Sequence, residues 1–342
     1  MKRPCLLVLA ALALAFGLAA GPSPAAAQAI SLSYANFPPA STFPCVQMER
    51  WKTEVEKRTG GKVSVQTFPG STLLGAKDMF RGVEMGQADI GCLSVAYQPG
   101  VFPFSMIGEQ PIGFTSATVA SVVMWELFVK YQPKEFGNVH VLTMFTSAPS
   151  QIMSKAPVRS LADLKGMELR SSGTISKLIG SLGATPVSMP MSEAPEALQK
   201  GVVKGIISSL EVLKDFNYAE LCRFETMTDL PVYPFAVVMN KDKWESLPPE
   251  VKKIMDDLGR EQALWTGQYM DGHVKESVAW SKEKYAIEII DLPAADKAEI
   301  EAKSQGLIDE WKKIATGAGL PADALLADLK AFKAKYEAEY GK

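Results

Sequence analysis

From Pro248 to Tyr285 the chain reads "PPEVKKIMDDLGREQALWTGQYMDGHVKESVAWSKEKY", with no proline after its opening pair. Apolar residues return at Val251, Ile254 and Leu258, then at Leu264, Trp265, Met270, Val274 and Val278, which is helical spacing. Pro248-Pro249 suits a helix entrance, because the first turn leaves its N–H groups unbonded anyway. Helices in compact domains average about 11–12 residues. A run this long is explained by a helix that crosses between two lobes. Gly259, Gly267 and Gly272 are the points where it is expected to bend or break.

The preceding residues supply two such lobes. "ISLSYANFPPAS" alternates apolar and polar residues and stops at Pro38-Pro39, a strand ending in a loop. "FPCVQMERWKTEVEKRTGG" follows as an amphipathic helix stopped by Gly60-Gly61. "KVSVQTFPG" is a strand, "GAKDMFRGVEMGQ" a helix and "ADIGCLSVAY" a strand. The pattern then repeats. "NVHVLTMFT", "MELRSSG", "TPVSM" and "KGIISSLE" read as strands. "SLADLKG", "TISKLIGSLGA" and "SEAPEALQKGV" read as helices, the last capped by Ser192. Strands alternating with helices imply βαβ units and a mainly parallel sheet in each block. The two blocks meet near Ser147, and two more surface helices close the chain.

The length of 342 residues, 47% of them apolar, supports large cores and about two domains. The formal charge is only −2, and no Lys/Arg run appears, so a nucleic-acid partner is not expected. The first residues are a separate object. Lys2 and Arg3 precede an apolar run from Leu6 to Ala20, and "SPAAAQA" offers small residues for cleavage after Ala27 or Ala29. Residues 1–29 therefore read as a secretory signal peptide. Cys5 lies before the apolar run, where no lipid-anchored cysteine would stand. No later stretch is apolar enough to span a bilayer, so a soluble, exported protein is expected. Cys45, Cys92 and Cys222 then remain, and their spacing fits no zinc pattern. They read either as buried small apolar residues or, for two of them, as a Cys45–Cys92 disulfide.

Catalytic signals are thin. His140 sits in a strand pattern and His273 in the long helix, both readable as packed or surface residues. Neither accompanies a nucleophile motif, and no phosphate-binding or dinucleotide glycine fingerprint occurs. Clustered metal ligands are absent from the sequence pattern, so neither a metal nor a cofactor is expected.

Arg170 stands out. It ends an apparent strand, and α/β lobes bind ligands outside the carboxyl ends of their strands. A guanidinium can hold a carboxylate through two parallel charge-assisted bonds. "SSGT" after it offers Ser171 and Ser172 hydroxyls and a helix N-terminus, which also favours an anion.

Four ordered segments, "FPGSTLLGAKDMFRGVEMGQADIG", "VRSLADLKGMELRSSG", "LGATPVSMPMSEAPEALQKGVVKG" and the long helix, resemble the periplasmic solute-binding proteins of TRAP transporters, the DctP-type family. The resemblance covers nearly all of the chain after its leader. It implies an α/β fold of two lobes, each a mainly parallel sheet flanked by helices, joined by crossing strands and a helix spanning both. Lobe I would comprise 30–147 and about 234–275, and lobe II 148–233 and about 276–342. It implies a periplasmic monomer that closes over an organic acid and delivers it to a membrane permease, with no catalysis. In that family the arginine of the "DLKGMELR" segment pairs with the ligand carboxylate, which is Arg170 here.

The chain also departs from that family. Many sialate- and dicarboxylate-binding members carry a second arginine about twenty residues earlier, where Ser150 or Gln151 stands here. An asparagine of theirs, after a "DGxE" stretch, falls at about Ser208, with Lys204 in place of the aspartate. A ligand rich in polar groups would leave them poorly paired, at about 1–3 kcal/mol each. The expected ligand is therefore a monocarboxylate with an apolar body: an indole acid, an aromatic 2-oxo acid or an aromatic amino acid. Tyr34, Phe37, Phe43, Tyr97, Phe216 and Phe235 are candidate ring contacts near strand ends and crossovers, and Glu211 is a candidate partner for an amino group. A dicarboxylate receptor, the receptor of an ATP-driven importer and a secreted enzyme on a small acid are the alternatives.

Overall fold

Apolar spacing dictates the first unit. In the computed structural model, which describes residues 29–341, β1 (Ile30–Asn36) leads into α1 (Phe43–Arg58) and β2 (Val63–Phe68). Pro44, Met48, Trp51 and Val55 form the buried stripe of α1, and Lys57 and Arg58 sit in its last turn, where cations favour the helix dipole. β2 pairs with β1 in parallel. α2 (Met79–Glu84) then leads to β3 (Ile90–Ser94), parallel to β1 on its other side. α3 (Ala117–Tyr131) is buried almost all round. Its N-cap Ser116 accepts the Val119 N–H, and the Asp271 carboxylate accepts those of Ala117 and Thr118.

β4 (Val139–Thr146) hands over to the second lobe. That lobe contains β5 (Ser150–Ser154), β6 (Glu168–Ser171), α4 (Gly173–Ser181), β7 (Thr185–Ser188), α5 (Ala194–Gln199), β8 (Gly205–Ser208), α6 (Val212–Asp215) and β9 (Phe224–Leu230). β10 (Pro234–Asn240) and α7 (Lys241–Glu245) return to the first lobe. α8 (Pro249–Tyr285), β11 (Glu288–Asp291), α9 (Ala294–Gly317) and α10 (Ala322–Tyr340) complete the chain. The sheet orders are β2-β1-β3-β10-β4 and β11-β9-β5-β8-β6-β7. Each sheet runs one way except for a single reversed strand, β10 in the first and β5 in the second. Both reversed strands enter from the opposite lobe. A chain arriving across the cleft starts at the end where the resident strands finish, so it must run against them. The two crossings are tied together: Ser147 N–H donates to the Tyr233 carbonyl, and Tyr233 N–H donates to Ser147 Oγ, both at 2.9 Å.

α8 is the third crossing. Its 37 residues reach about 55 Å. Near its start Thr143 Oγ1 donates to the Gly259 carbonyl, and Gln262 Nε2 donates to the Gln47 carbonyl, in the first lobe. Near its end His273 meets Asp215, and Ser277 Oγ donates to the Leu210 carbonyl, in the second. The glycines do not break it. A Cβ on Gly259 would strike the Trp125 ring, and one on Gly267 would lie 2.5 Å from Thr118 Cα. Those two glycines let α8 and α3 approach closely, whereas nothing lies within 4 Å of a Cβ on Gly272. Gly267→Ala is expected to cost about 1–3 kcal/mol through overpacking. Gly272→Ala is expected to be neutral or to stabilise by up to about 1 kcal/mol. Thermal melting of the pair checks this, and equal shifts would contradict it.

Further expectations need correction. The boundary at 276 assigned the whole C-terminal segment to lobe II, but α10 packs on α3 in the first lobe, with Asp328 accepting from Tyr131 and Lys130. The apolar stripe of α10 covers a helix that is buried almost all round. α5 starts at Ala194 after a 3₁₀ turn holding Ser192, so Ser192 is not its cap. Cys45, Cys92 and Cys222 are buried free thiols, and Cys45 Sγ points at the Pro38 carbonyl, 3.3 Å away, instead of forming a disulfide. Burial pushes the Cys45 and Cys222 thiols up to about 12, which leaves them inert. The signal-peptide reading falls on residues outside those described.

Candidate ligand-binding site

The carboxyl ends of β1, β3, β6 and β8 meet at one interlobe cavity, which Phe37, Ser94, Arg170 and Ser208 all line. The space between its atoms, open solvent at the mouth included, is about 470 Å³.

Arg170 comes from β6, held between β8 and β7. Its side chain is 1% exposed. Nε and Nη2 donate to the Met189 carbonyl at 2.9 and 2.7 Å, which fixes one edge of the fork. Nη2 also donates to Tyr97 Oη at 3.0 Å. Nη1 makes no hydrogen bond among the described residues, so its two N–H groups remain available on the cavity wall. Burial opposes the charge, but the surrounding oxygens of Tyr97, Tyr233 and Tyr218 outweigh it and leave the guanidinium above its ordinary value. Tyr97 belongs to the first lobe, and its oxygen also accepts the Met191 N–H at 3.0 Å. One phenol thus bridges the cleft twice.

The N-terminus of α4 is occupied differently from the expectation. The acceptor it meets is a side chain of the other lobe: Thr174 N–H donates to Glu109 Oε2 at 2.7 Å. Gly173 has φ 56°, and a Cβ there would collide with that carboxyl group. Glycine therefore serves both the backbone and the approach. Burial raises the Glu109 pKa, with the Thr174 bonds working against it. Ser171 Oγ pairs with Ser176 Oγ, and Ser172 takes the N-cap position behind the wall.

The structure brings Arg170, Ser208, Phe37, Phe43, Tyr97, Glu211, Phe216 and Phe235 together on this cavity. Phe37 and Phe235 lie nearly parallel with centroids 6.5 Å apart, and Phe43 meets Phe235 edge-on at 5.4 Å. Tyr34, Ser150 and Ser172 stand outside it. Tyr34 points under α1, its hydroxyl accepting from Gln47 Nε2 at 2.8 Å and its ring meeting Trp51 edge-on. Ser150 Oγ donates to the Pro231 carbonyl and serves the crossing strands. For Tyr34 and Ser150 a nearer core or backbone partner claims the group.

Sequence reasoning missed Tyr233, Asp215 and Glu109. Tyr233 lines the cavity, its hydroxyl is without a hydrogen-bond partner among the described residues, and burial pushes its pKa up to about 12 against the pull of Arg170. It stands two residues before Phe235, so the period of a strand would have flagged it. Asp215 stands four after Glu211, on the same helical face. Burial holds Glu211 well above the usual carboxylate range, helped by Asp215 and opposed by Ser209. The Asp215 hydrogen bond raises the His273 pKa, against burial. His140, by contrast, stacks on Trp244 and meets Asp256 away from the cavity. No three His, Cys, Asp or Glu side chains among the described residues gather to hold a metal ion.

Residues 34–314 match the DctP family, described as bacterial extracellular solute-binding protein, family 7. A TRAP periplasmic solute-binding protein from Desulfovibrio salexigens, solved as an open complex, is 65% identical, with 90% of this chain and 97% of that one covered and a TM-score of 0.82. A marine metagenome TRAP solute-binding protein specific for aromatic acid ligands, solved with metahydroxyphenylacetate, is 30% identical over 90% of this chain and 99% of its own, with a TM-score of 0.85. The 2,3-diketo-L-gulonate-binding periplasmic protein of Escherichia coli is 25% identical over 81% of this chain and 85% of its own.

Proposed function

The chain belongs to the DctP family of bacterial extracellular solute-binding proteins, and on that premise we propose that it captures an aromatic or otherwise apolar monocarboxylate between its lobes and delivers it to a TRAP-type permease. One observation carries the choice of ligand. Among the described residues Arg170 is the only Lys or Arg on a cavity wall otherwise rich in Phe37, Phe43, Phe216 and Phe235. A single fork binds one carboxylate, and the rings favour a flat apolar body. The likeness to a receptor specific for aromatic acids supports this reading. Place of action follows from the family and from the expected leader, and no helix among the described residues is long and apolar enough to cross a membrane.

The mechanism is closure without chemistry. The ligand carboxylate docks on the free Nη1 group of Arg170. Tyr97 and Glu109 then reach across to Met191 and Thr174 and bury it. Closure is driven only by the extra affinity of the closed form for the ligand.

A thermal-shift screen of the mature protein against about a hundred organic acids tests this. The set includes indole acids, aromatic 2-oxo acids, aromatic amino acids, dicarboxylates and sugar acids. Aromatic monocarboxylates are expected to raise the melting point most, by about 2.7 kcal/mol of stabilisation at a hundredfold excess over Kd. Preference for dicarboxylates or sugar acids would overturn the reading.

A further inference from the structure

At the cavity, Arg170 is not the only buried polar group. Glu211 is 2% exposed and the Asp215 side chain 4%, and both line the same space. Glu211 Oε2 and Asp215 Oδ2 have no hydrogen-bond partner among the described residues. Buried acceptors of this kind are almost always paired in a working protein. Neither is placed by accident. Asp215 Oδ1 is held at 2.7 Å by His273 Nε2 of α8. Ser277 Oγ, also on α8, accepts the Lys214 N–H and donates to the Leu210 carbonyl, so both ends of the turn bearing Glu211 and Asp215 are braced.

No ion pair among the described residues joins the two ends of the cavity. Arg170 spends its bonds on Met189 and Tyr97, and Asp215 meets His273 instead. A ligand carboxylate at Arg170 therefore leaves the acid pair unanswered. A second carboxylate there would add like charge beside Asp215. A hydrocarbon end would leave both oxygens stranded.

We infer that the ligand carries an O–H or N–H donor on the side away from its carboxylate, received by Glu211 and Asp215. This rests on the aromatic-acid reading and narrows it. A hydroxyl and a protonated amine share the required chemistry, and matched probes separate them.

Calorimetry with benzoate, 3- and 4-hydroxybenzoate and 3- and 4-(aminomethyl)benzoate tests the inference on the full mature protein. At least one donor-bearing acid is expected to bind about tenfold or more tighter than benzoate, and which one identifies the source of the donor. In Glu211→Met the preference is expected to fall to within about twofold while benzoate still binds. Glu211→Gln keeps a carbonyl acceptor and leaves Asp215 in place, so it is expected to retain the preference. Benzoate binding as tightly as every analogue in the wild type, or a preference unchanged in Glu211→Met, overturns the inference and leaves the aromatic-acid reading intact. If none of these acids binds and the wider screen favours dicarboxylates or sugar acids, both readings fall. If Glu211→Met does not fold, the wild-type comparison alone decides.

Discussion

Arg170→Ala is expected to weaken binding of the tightest aromatic acid by more than about a hundredfold. Truncating one partner of a buried, hydrogen-bonded charge pair costs about 2–5 kcal/mol, largely because the other charge is left buried and alone. Here the stranded charge would be the ligand carboxylate. The substitution also removes the donors to the Met189 carbonyl and to Tyr97, so the closed form loses a cross-cleft bond as well. Arg170→Lys is expected to recover little, since an ammonium cannot serve the Met189 carbonyl with one set of donors and a carboxylate with another. Calorimetry measures the loss, and thermal melting without ligand should remain cooperative. An affinity unchanged by Arg170→Ala would remove the arginine from the site.

Trp311→Ala is expected to produce the largest loss of stability, about 3–5 kcal/mol. Trp311 is 1% exposed, and its Nε1 donates to the Pro103 carbonyl at 2.9 Å. Its helix, α9, also meets α4 of the second lobe, where Lys177 pairs with Glu310. The indole thus fixes a helix that touches both lobes. Trp311→Phe separates the two contributions. It keeps most of the buried ring but leaves the Pro103 carbonyl unpaired, at about 1–3 kcal/mol. Denaturant melts of the two variants check the order. Equal losses would mean that the hydrogen bond, not the packing, carries the effect.

Much of the fold was legible because its signals are local. The spacing from Val251 to Val278 in α8 and the stripe from Pro44 to Val55 in α1 follow from helical geometry alone. α3 was missed because Ala117–Phe128 is buried almost throughout and so has no polar face to give a period. The glycines of α8 were misread for a related reason. A glycine in a helix looks like a weak point until the neighbour it admits, Thr118 or Trp125, is known.

The site divides in the same way. Arg170 was visible as a cation at a strand end before a glycine-led helix, and the short reach from strand end to cavity needs no distant information. Tyr34 and Tyr97 looked alike, each near a strand end. Yet Tyr34 turns under α1 to Gln47, while Tyr97 crosses the cleft to Arg170. Glu109 reaches the N-terminus of α4 from the other lobe, and His273 braces Asp215 from the far end of α8. Those meetings join residues tens of positions apart, and the chain's three passages between lobes decide them. Periodicity and turn chemistry, which are properties of neighbours in sequence, determined the helices, the strands and the arginine. Which acid occupies a helix end, which ring bridges the lobes and which carboxylates face the cavity were decided only when distant segments packed, because burial and pairing depend on what else arrives at the same place.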